Sequence, residues 1–330
     1  MRIIRDANQA SVERETALTI GAFDGLHLGH QDLLRRLMRG AQEANRLGGV
    51  VTFDPLPRTV LAPDSSFICL TTIEDKLELL QTWGLDLLVI VPFTWEVART
   101  SARDFVRPLR ERLRMAELWV GWNFALGRGR EGDVPALKKL GQEMGFDVRV
   151  IEPVSDGGAV ISSTQIRNLL GMGRVREAAE MLGRYYQFSG VVVPGVGRER
   201  QVGFPTANLR AVRPGGRRPP FGPRVPARRG ETANGVENIC TLLASGIYAT
   251  YATVQDKRYL AVANIGVRPT FKDGEPTVEV HLLGFDGGLV GERIHVQFVE
   301  RLRDECRFTD VKALRAQIKK DIAKAREILT

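Results

Sequence analysis

The segment Gly21-Ala-Phe-Asp-Gly-Leu-His-Leu-Gly-His30 holds two of the four histidines in the chain and three glycines within ten residues. It follows an apolar, β-branched run and precedes an amphipathic one, so it reads as a strand-to-helix turn. Glycine lets backbone approach a phosphate chain, a helix N-terminus presents unpaired N–H groups at its positive end, and imidazoles at 27 and 30 can donate to phosphate oxygens. Gly21, Phe23, Asp24, Gly25, His27, Gly29 and His30 are therefore candidate phosphate-binding residues. His27 and His30 are the ones able to stabilise charge on a pentacoordinate phosphorus. Zinc is a competing reading for two histidines three apart, but no further ligand cluster supports it. A capped structural turn explains the glycines and leaves the histidines unexplained, and the spacing is not the G-x-G-x-x-G of a dinucleotide loop.

A second polar element, Ile161-Ser-Ser-Thr-Gln-Ile-Arg167, also stands just before a helical pattern. Ser162 or Ser163 can cap that helix and Arg167 can reach a phosphate. Together the two elements resemble the H-x-G-H and I-S-S-T-x-x-R signatures of the nucleotidyltransferase superfamily. The resemblance implies attack on the α-phosphorus of ATP with release of pyrophosphate. It places Ser162, Ser163, Thr164 and Arg167 at the nucleotide and makes Arg167 catalytic beside His27 and His30. Between them, Gly121-Trp-Asn-Phe-Ala-Leu-Gly-Arg-Gly-Arg130 resembles an element of bacterial FAD synthetases, in which Asn123 would contact a nucleotide or flavin phosphate. Leu126 stands where that family has phenylalanine. Thr52-Phe-Asp-Pro-Leu-Pro57 is similar to the family's T-F-x-P-x-P turn and implies Phe53 and Pro55 beside the flavin, although such a stretch is in general a rigid loop.

A further constellation begins at Gly195 and runs through Gly203-Phe-Pro-Thr-Ala-Asn208. Glycine-flanked loops are common, and a Ser/Thr or Asx turn is the ordinary reading of Thr206 and Asn208. The G-F-P-T-A-N string, however, resembles that of riboflavin kinases. This implies that Gly195, Gly203, Pro205 and Thr206 surround ATP, and that Thr206 and Asn208 hold Mg²⁺ through hard oxygen donors. Asn264-Ile-Gly-Val-Arg-Pro-Thr-Phe271 and Thr277-Val-Glu-Val-His-Leu282 resemble later parts of the same family. Glu279 thereby aligns with the general base that deprotonates the flavin 5′-hydroxyl, while His281 shares its face with no assigned role. Leu302-Arg-Asp-Glu305 and Phe308 resemble the family's ending, with Arg303 bordering the flavin. Val290 replaces a usual tyrosine.

The elements that must carry these residues fall into two groups. Up to about residue 183, apolar runs at 18–23, 50–53, 87–91, 118–120 and 148–151 alternate with helical patterns at 31–47, 73–83, 102–113 and 135–144. That alternation specifies a doubly wound parallel-sheet domain with its crevice at the carboxyl ends of the strands. From 184 to 330 the apolar runs at 188–193, 247–254, 259–265, 277–283 and 294–298 lack intervening helices and suit a small antiparallel β-barrel. A helix at 310–328, capped by Thr309 with an apolar face of Val311, Leu314, Ile318 and Ile322, ends the chain. A short helix within 171–184 is the expected hinge. The fold class is thus α/β plus β.

The 330 residues suit two domains, and the 43% hydrophobic and 26% charged fractions are those of an ordinary globular chain. No apolar run reaches the roughly 18 to 20 residues of a membrane span and no secretory signal opens the chain, so a cytoplasmic protein without membrane partners is expected. Cys69, Cys240 and Cys306 are scattered and odd in number, which fits free thiols. The net charge of +8 is concentrated: seven arginines and five prolines lie between 210 and 230 with no acid among them. That stretch belongs to a solvated insertion at about 213–243. Riboflavin, FMN and ATP are the expected partners, with FMN and FAD as products, and nucleic acid is not. The alternatives are a chain active only as adenylyltransferase, because the insertion obstructs the kinase site, and a flavin- or RNA-binding regulator that uses the basic run. Deleting 213–230 separates the regulator from the enzyme. A regulator loses a steep salt dependence of RNA binding, whereas the enzyme is expected to show none to lose.

Overall fold

In a computed structural model, described over residues 1–5, 10–63, 67–156, 159–194, 204–211, 242–267 and 276–330, the chain divides into two compact units, Met1–Ser163 and Thr164–Thr330. The first unit comprises β1 (Arg2–Ile4), β2 (Thr16–Ile20), α1 (Leu28–Glu43), β3 (Leu47–Phe53), α2 (Ile73–Gln81), β4 (Leu87–Val91), α3 (Ala102–Glu111), β5 (Met115–Gly121), α4 (Val134–Met144) and β6 (Asp147–Ile151). Its six strands form one parallel sheet in the order β1-β4-β3-β2-β5-β6.

Alternate residues of the inner strands enter opposite cores. Val51, Leu87 and Val89 join Val106, Leu109, Leu137 and Leu140 of α3 and α4, whereas Val50, Leu88 and Ile90 join Leu33, Leu34 and Leu80 of α1 and α2. Burial on both faces is why these strands are apolar without alternation. From β2 the chain steps through β3 to β4 on one side and then crosses back to β5 on the other. The carboxyl end of β2 is therefore the topological switch point, where a doubly wound sheet opens its crevice.

Helix α5 (Ser163–Gly171) opens at the end of this unit, and the second unit continues with α6 (Val175–Leu182), β7 (Tyr186–Val193), β8 (Ala207–Ala211), β9 (Gly246–Val254), β10 (Lys257–Val267), β11 (Pro276–Leu282), β12 (Arg293–Arg303) and α7 (Val311–Leu329). The strands close into an antiparallel barrel in the order β7-β8-β11-β10-β9-β12. Helix α7 covers part of its outer wall, where Ala325 and Leu329 meet Ala249 and Val299. Within the segment expected to be a hinge, α6 buries Val175, Ala178 and Leu182. Among the described residues no helix is long and apolar enough to cross a membrane.

Several expected boundaries move. The first inner strand ends at Ile20 because Phe23 takes a left-handed backbone, φ +47°. Helix α1 spans Leu28–Glu43 rather than 31–47, and Leu47 already belongs to β3. Strands β1 and β8 were not foreseen: β1 has three residues with two exposed, and β8 mixes small and polar types. The cap of α7 is Asp310, whose Oδ1 accepts from Ala313 N at 2.8 Å, not Thr309. Val311, 54% exposed, lies off the buried stripe, which runs through Asp321, Ala325 and Leu329. Cys69 and Cys306 form no disulfide among the described residues, and Cys240 lies outside them, as do 213–241 of the insertion. Leu242 and Leu243, at its end, are buried rather than solvated. Asp310→Ala removes the α7 cap and is expected to cost about 1 kcal/mol, read as a lower denaturant midpoint at unchanged slope.

Candidate active sites

The turn after β2 is conformationally strained. Phe23, Gly25 and Leu26 have φ of +47°, +80° and +44°, and a side chain in that region costs on the order of 1 to 3 kcal/mol. A ring of hydrogen bonds holds it. The Asp24 carboxylate accepts from Leu70 N at 2.9 Å and Thr71 N at 3.2 Å, Gly25 N donates to Thr71 Oγ1 at 3.2 Å, and Gln31 Nε2 donates to Leu26 O at 2.8 Å. The carbonyl of Ala22 accepts from Lys76 Nζ at 2.6 Å and from Thr52 Oγ1 at 3.3 Å. Ser163 Oγ donates to Asp24 O at 2.8 Å, which brings the two sequence elements together across 139 residues.

At the head of α1 the His27 Nδ1 accepts from His30 N at 3.4 Å. The neutral ring that accepts there carries its proton on Nε2. The His27 and His30 rings stack with centroids 3.7 Å apart, and a Cβ on Gly29 would lie 3.2 Å from the His27 ring, so glycine admits the imidazole there. Gly21 directly follows β2, its N–H bound to Val51 O.

The other candidates of this unit stand at neighbouring strand ends. Phe53 closes β3 and meets Phe93 edge-on at 5.4 Å, and Pro55 is exposed just beyond. Asn123 follows β5 on the surface, with its carbonyl held by Arg130 Nη2 at 3.1 Å. Gly127, at φ +78°, sits where a Cβ would lie 2.7 Å from Ala102 N. Ser162 is half-buried ahead of α5, while Thr164 and Arg167 lie on α5 beyond the unit boundary, exposed and half-buried respectively.

In the barrel, register assembles the second constellation. Glu279 on β11 pairs with Asn208 on β8 and with Asn264 on β10, so three polar side chains stand in one lateral row. Their neighbours Val278, Val280, Ala263 and Ile265 are buried, and side chains alternate along a strand, so the row lies on the opposite, outer face. Thr206, two residues before Asn208, shares that face. Its Oγ1 is buried with no hydrogen-bond partner among the described residues, and so is Asn264 Oδ1. His281 Nδ1–H donates to Pro205 O at 2.7 Å and its ring meets Phe204 edge-on at 5.7 Å, so it anchors the segment that carries Thr206. Gly195, Gly203 and 268–271 lie outside the described residues.

Comparison with known proteins matches both parts of the chain to known families. The FAD synthetase family matches residues 9–165 and the riboflavin kinase family residues 182–329. The bifunctional riboflavin kinase/FMN adenylyltransferase of Escherichia coli strain K12 is 35% identical over 99% of this chain and 97% of its own length. The chain belongs to the bifunctional riboflavin kinase/FMN adenylyltransferase family. The Pseudomonas fluorescens member is 34% identical over 99% of this chain and 98% of its own. Among solved structures, a macrolide-efflux protein from Streptococcus pneumoniae is 27% identical with a TM-score of 0.81, covering 98% of both chains.

Two residues of this family member gain definition from the structure. Arg303 is clamped by the buried Asp321 of α7, with Nε at 3.0 Å and Nη2 at 2.7 Å from its carboxylate, while Nη1 donates to Asp304 O at 2.8 Å. Its guanidinium stands over Phe308, 5.9 Å from the ring centroid. Lys76, 2% exposed, was missed in the sequence; burial lowers its ammonium below the usual lysine range while Asp24, Cys69 and Asp54 pull it back up. The available signal was its position on α2, four residues before the buried Leu80 and so on the apolar face. Near the kinase row, burial pushes the Glu305 carboxyl up, and the side chain of Asn264 donates to it.

Gly127→Ala would force both a disfavoured φ and a backbone clash. It is expected to destabilise the first unit by about 1 to 3 kcal/mol, measurable by denaturant titration.

Proposed function

We propose that the barrel unit moves the γ-phosphoryl group of ATP to the 5′-hydroxyl of riboflavin, and that the first unit moves the adenylyl group of a second ATP to the resulting FMN, releasing pyrophosphate. The chain is a bifunctional transferase of flavin cofactor synthesis, with FMN and FAD as its products. The division of labour follows the halves 1–183 and 184–330.

The row Asn208–Glu279–Asn264 carries the kinase assignment. Glu279 takes the proton of the 5′-hydroxyl as that oxygen attacks phosphorus, a contribution of roughly 10² to 10⁴ in rate. Thr206 and Asn208 would hold Mg²⁺; the buried hydroxyl of Thr206, without a partner among the described residues, is the hard oxygen donor such an ion takes. Such an ion would offset the charge of the ATP phosphates. Pro205, Gly195 and Gly203 flank the triphosphate, and Arg303, its donors fixed by Asp321 and Asp304, offers a flat face to the flavin edge.

In the first unit, His27 Nε2–H, His30 and the N–H groups at the head of α1 face the phosphates of ATP, with Gly21, Phe23, Asp24, Gly25 and Gly29 shaping the turn. Ser162, Ser163, Thr164 and Arg167 complete the phosphate site, and Arg167 offsets charge as pyrophosphate leaves. Phe53, Pro55 and Asn123 receive the FMN. The partners are these small molecules, without nucleic acid or membrane, in the cytoplasm.

Crossed substitutions test the assignment. Glu279→Ala is expected to abolish FMN formation from riboflavin yet spare FAD formation from supplied FMN, and His30→Ala to do the reverse, both followed by chromatography. Loss of both activities in either variant would count against separate sites.

A further inference from the structure

Lys76 is the largest fully buried charged side chain among the described residues, and nothing in packing requires a charge there. Burying an ammonium costs several kcal/mol in general unless it is paired, whereas a methionine would fill similar volume without that cost. The position of its nitrogen is informative. Nζ lies 2.6 Å from the carbonyl oxygen of Ala22, the residue that enters the strained turn, and Asp24, Asp54 and Cys69 are the ionisable groups around it. Ala22 O already has a second donor in Thr52 Oγ1 at 3.3 Å, so the lysine is not needed merely to satisfy that oxygen.

The peptide group joining Ala22 to Phe23 is trans, since the only cis bond among the described residues is Asp54–Pro55. In a planar trans peptide the N–H points opposite to the C=O. The Phe23 N–H therefore points away from Lys76, and among the described residues it donates to no acceptor, although Phe23 is 2% exposed. A buried backbone donor without a partner is rare in native proteins and marks a place where something else accepts. A cation on the carbonyl side of such a peptide withdraws electron density from it and strengthens the N–H on the far side.

We propose that Lys76 is a positioning residue for adenylyl transfer, which orients and polarises the Ala22–Phe23 peptide so that the Phe23 N–H donates to the phosphate oxygen that gains charge as the α-phosphorus is attacked. This rests on the reading of the first unit as the adenylyltransferase. Lys76 itself touches no substrate; it acts through one peptide group. The interaction strengthens as charge develops, so it belongs to kcat more than to KM.

The experiment uses the full chain with Lys76→Met and Cys69→Ser, assayed for FMN to FAD and, as an internal control, riboflavin to FMN. For Lys76→Met the expected result is a fall in kcat for FAD formation of about tenfold or more, less than the roughly 10² to 10³ lost with a direct donor. KM for ATP and FMN should stay within about twofold, with riboflavin phosphorylation unchanged. The wild type should lose FAD-forming activity as pH rises through the lowered Lys76 pKa, because the ammonium is then neutralised. That alkaline fall should be absent from Lys76→Met and retained in Cys69→Ser, the control for the neighbouring thiol. An unchanged kcat, a rise in KM alone, loss of both activities together, or an alkaline fall that disappears in Cys69→Ser would each overturn the proposal. Failure of the wild type to form any FAD from FMN would instead overturn the reading on which it rests.

Discussion

A backbone that turns left-handed at Phe23 and Leu26 survives only where its surroundings leave it no alternative, and the first unit is arranged to supply that constraint. Five segments contribute a hydrogen bond to the turn: the end of β3 through Thr52, the 70–71 segment through Asp24, α2 through Lys76, α1 through Gln31, and the start of α5 through Ser163. The two histidines are placed by the same device, since the turn sets the head of α1. Residues distant in the chain therefore act on one loop, and the sheet's switch point is where their elements converge.

The second unit solves a similar problem by other means. Its polar row needs no strained backbone, because antiparallel register alone brings Asn208, Glu279 and Asn264 abreast on three adjoining strands. The closed barrel behind them is packed with valine, alanine and isoleucine, which prevents sliding of one strand past another. Among the described residues, loop geometry enters at Phe204–Thr206, where His281 pins the chain from the neighbouring strand.

What could be read from the residues and what could not divides along physical lines. Strands buried on both faces, such as β3 and β4, show as unbroken apolar runs, and helices with one apolar stripe show as spaced ones, so the fold class and the motif positions were legible. Strand β1 was not, being a three-residue edge with two exposed side chains, and neither was β8, whose alanines and asparagine carry little β signal. Lys76 and His281 escaped because their roles arise from what lies across from them in space. A lysine on a helix reads as solvated surface, and a histidine on a strand reads as its polar face. The end of the Arg/Pro-rich insertion misled in the opposite sense, since Leu242 and Leu243 return to the core directly after a stretch that could not form one.

Placing the carboxylate on the central member of a three-strand row makes chemistry hostage to parity. Side chains alternate at every residue, so a slip of β11 by a single position relative to β8 and β10 would turn Glu279 into the hydrophobic interior and bring Val278 or Val280 to the outer wall. Loop length around the barrel can therefore drift over evolutionary time, provided each change leaves the odd and even positions of this strand where they are.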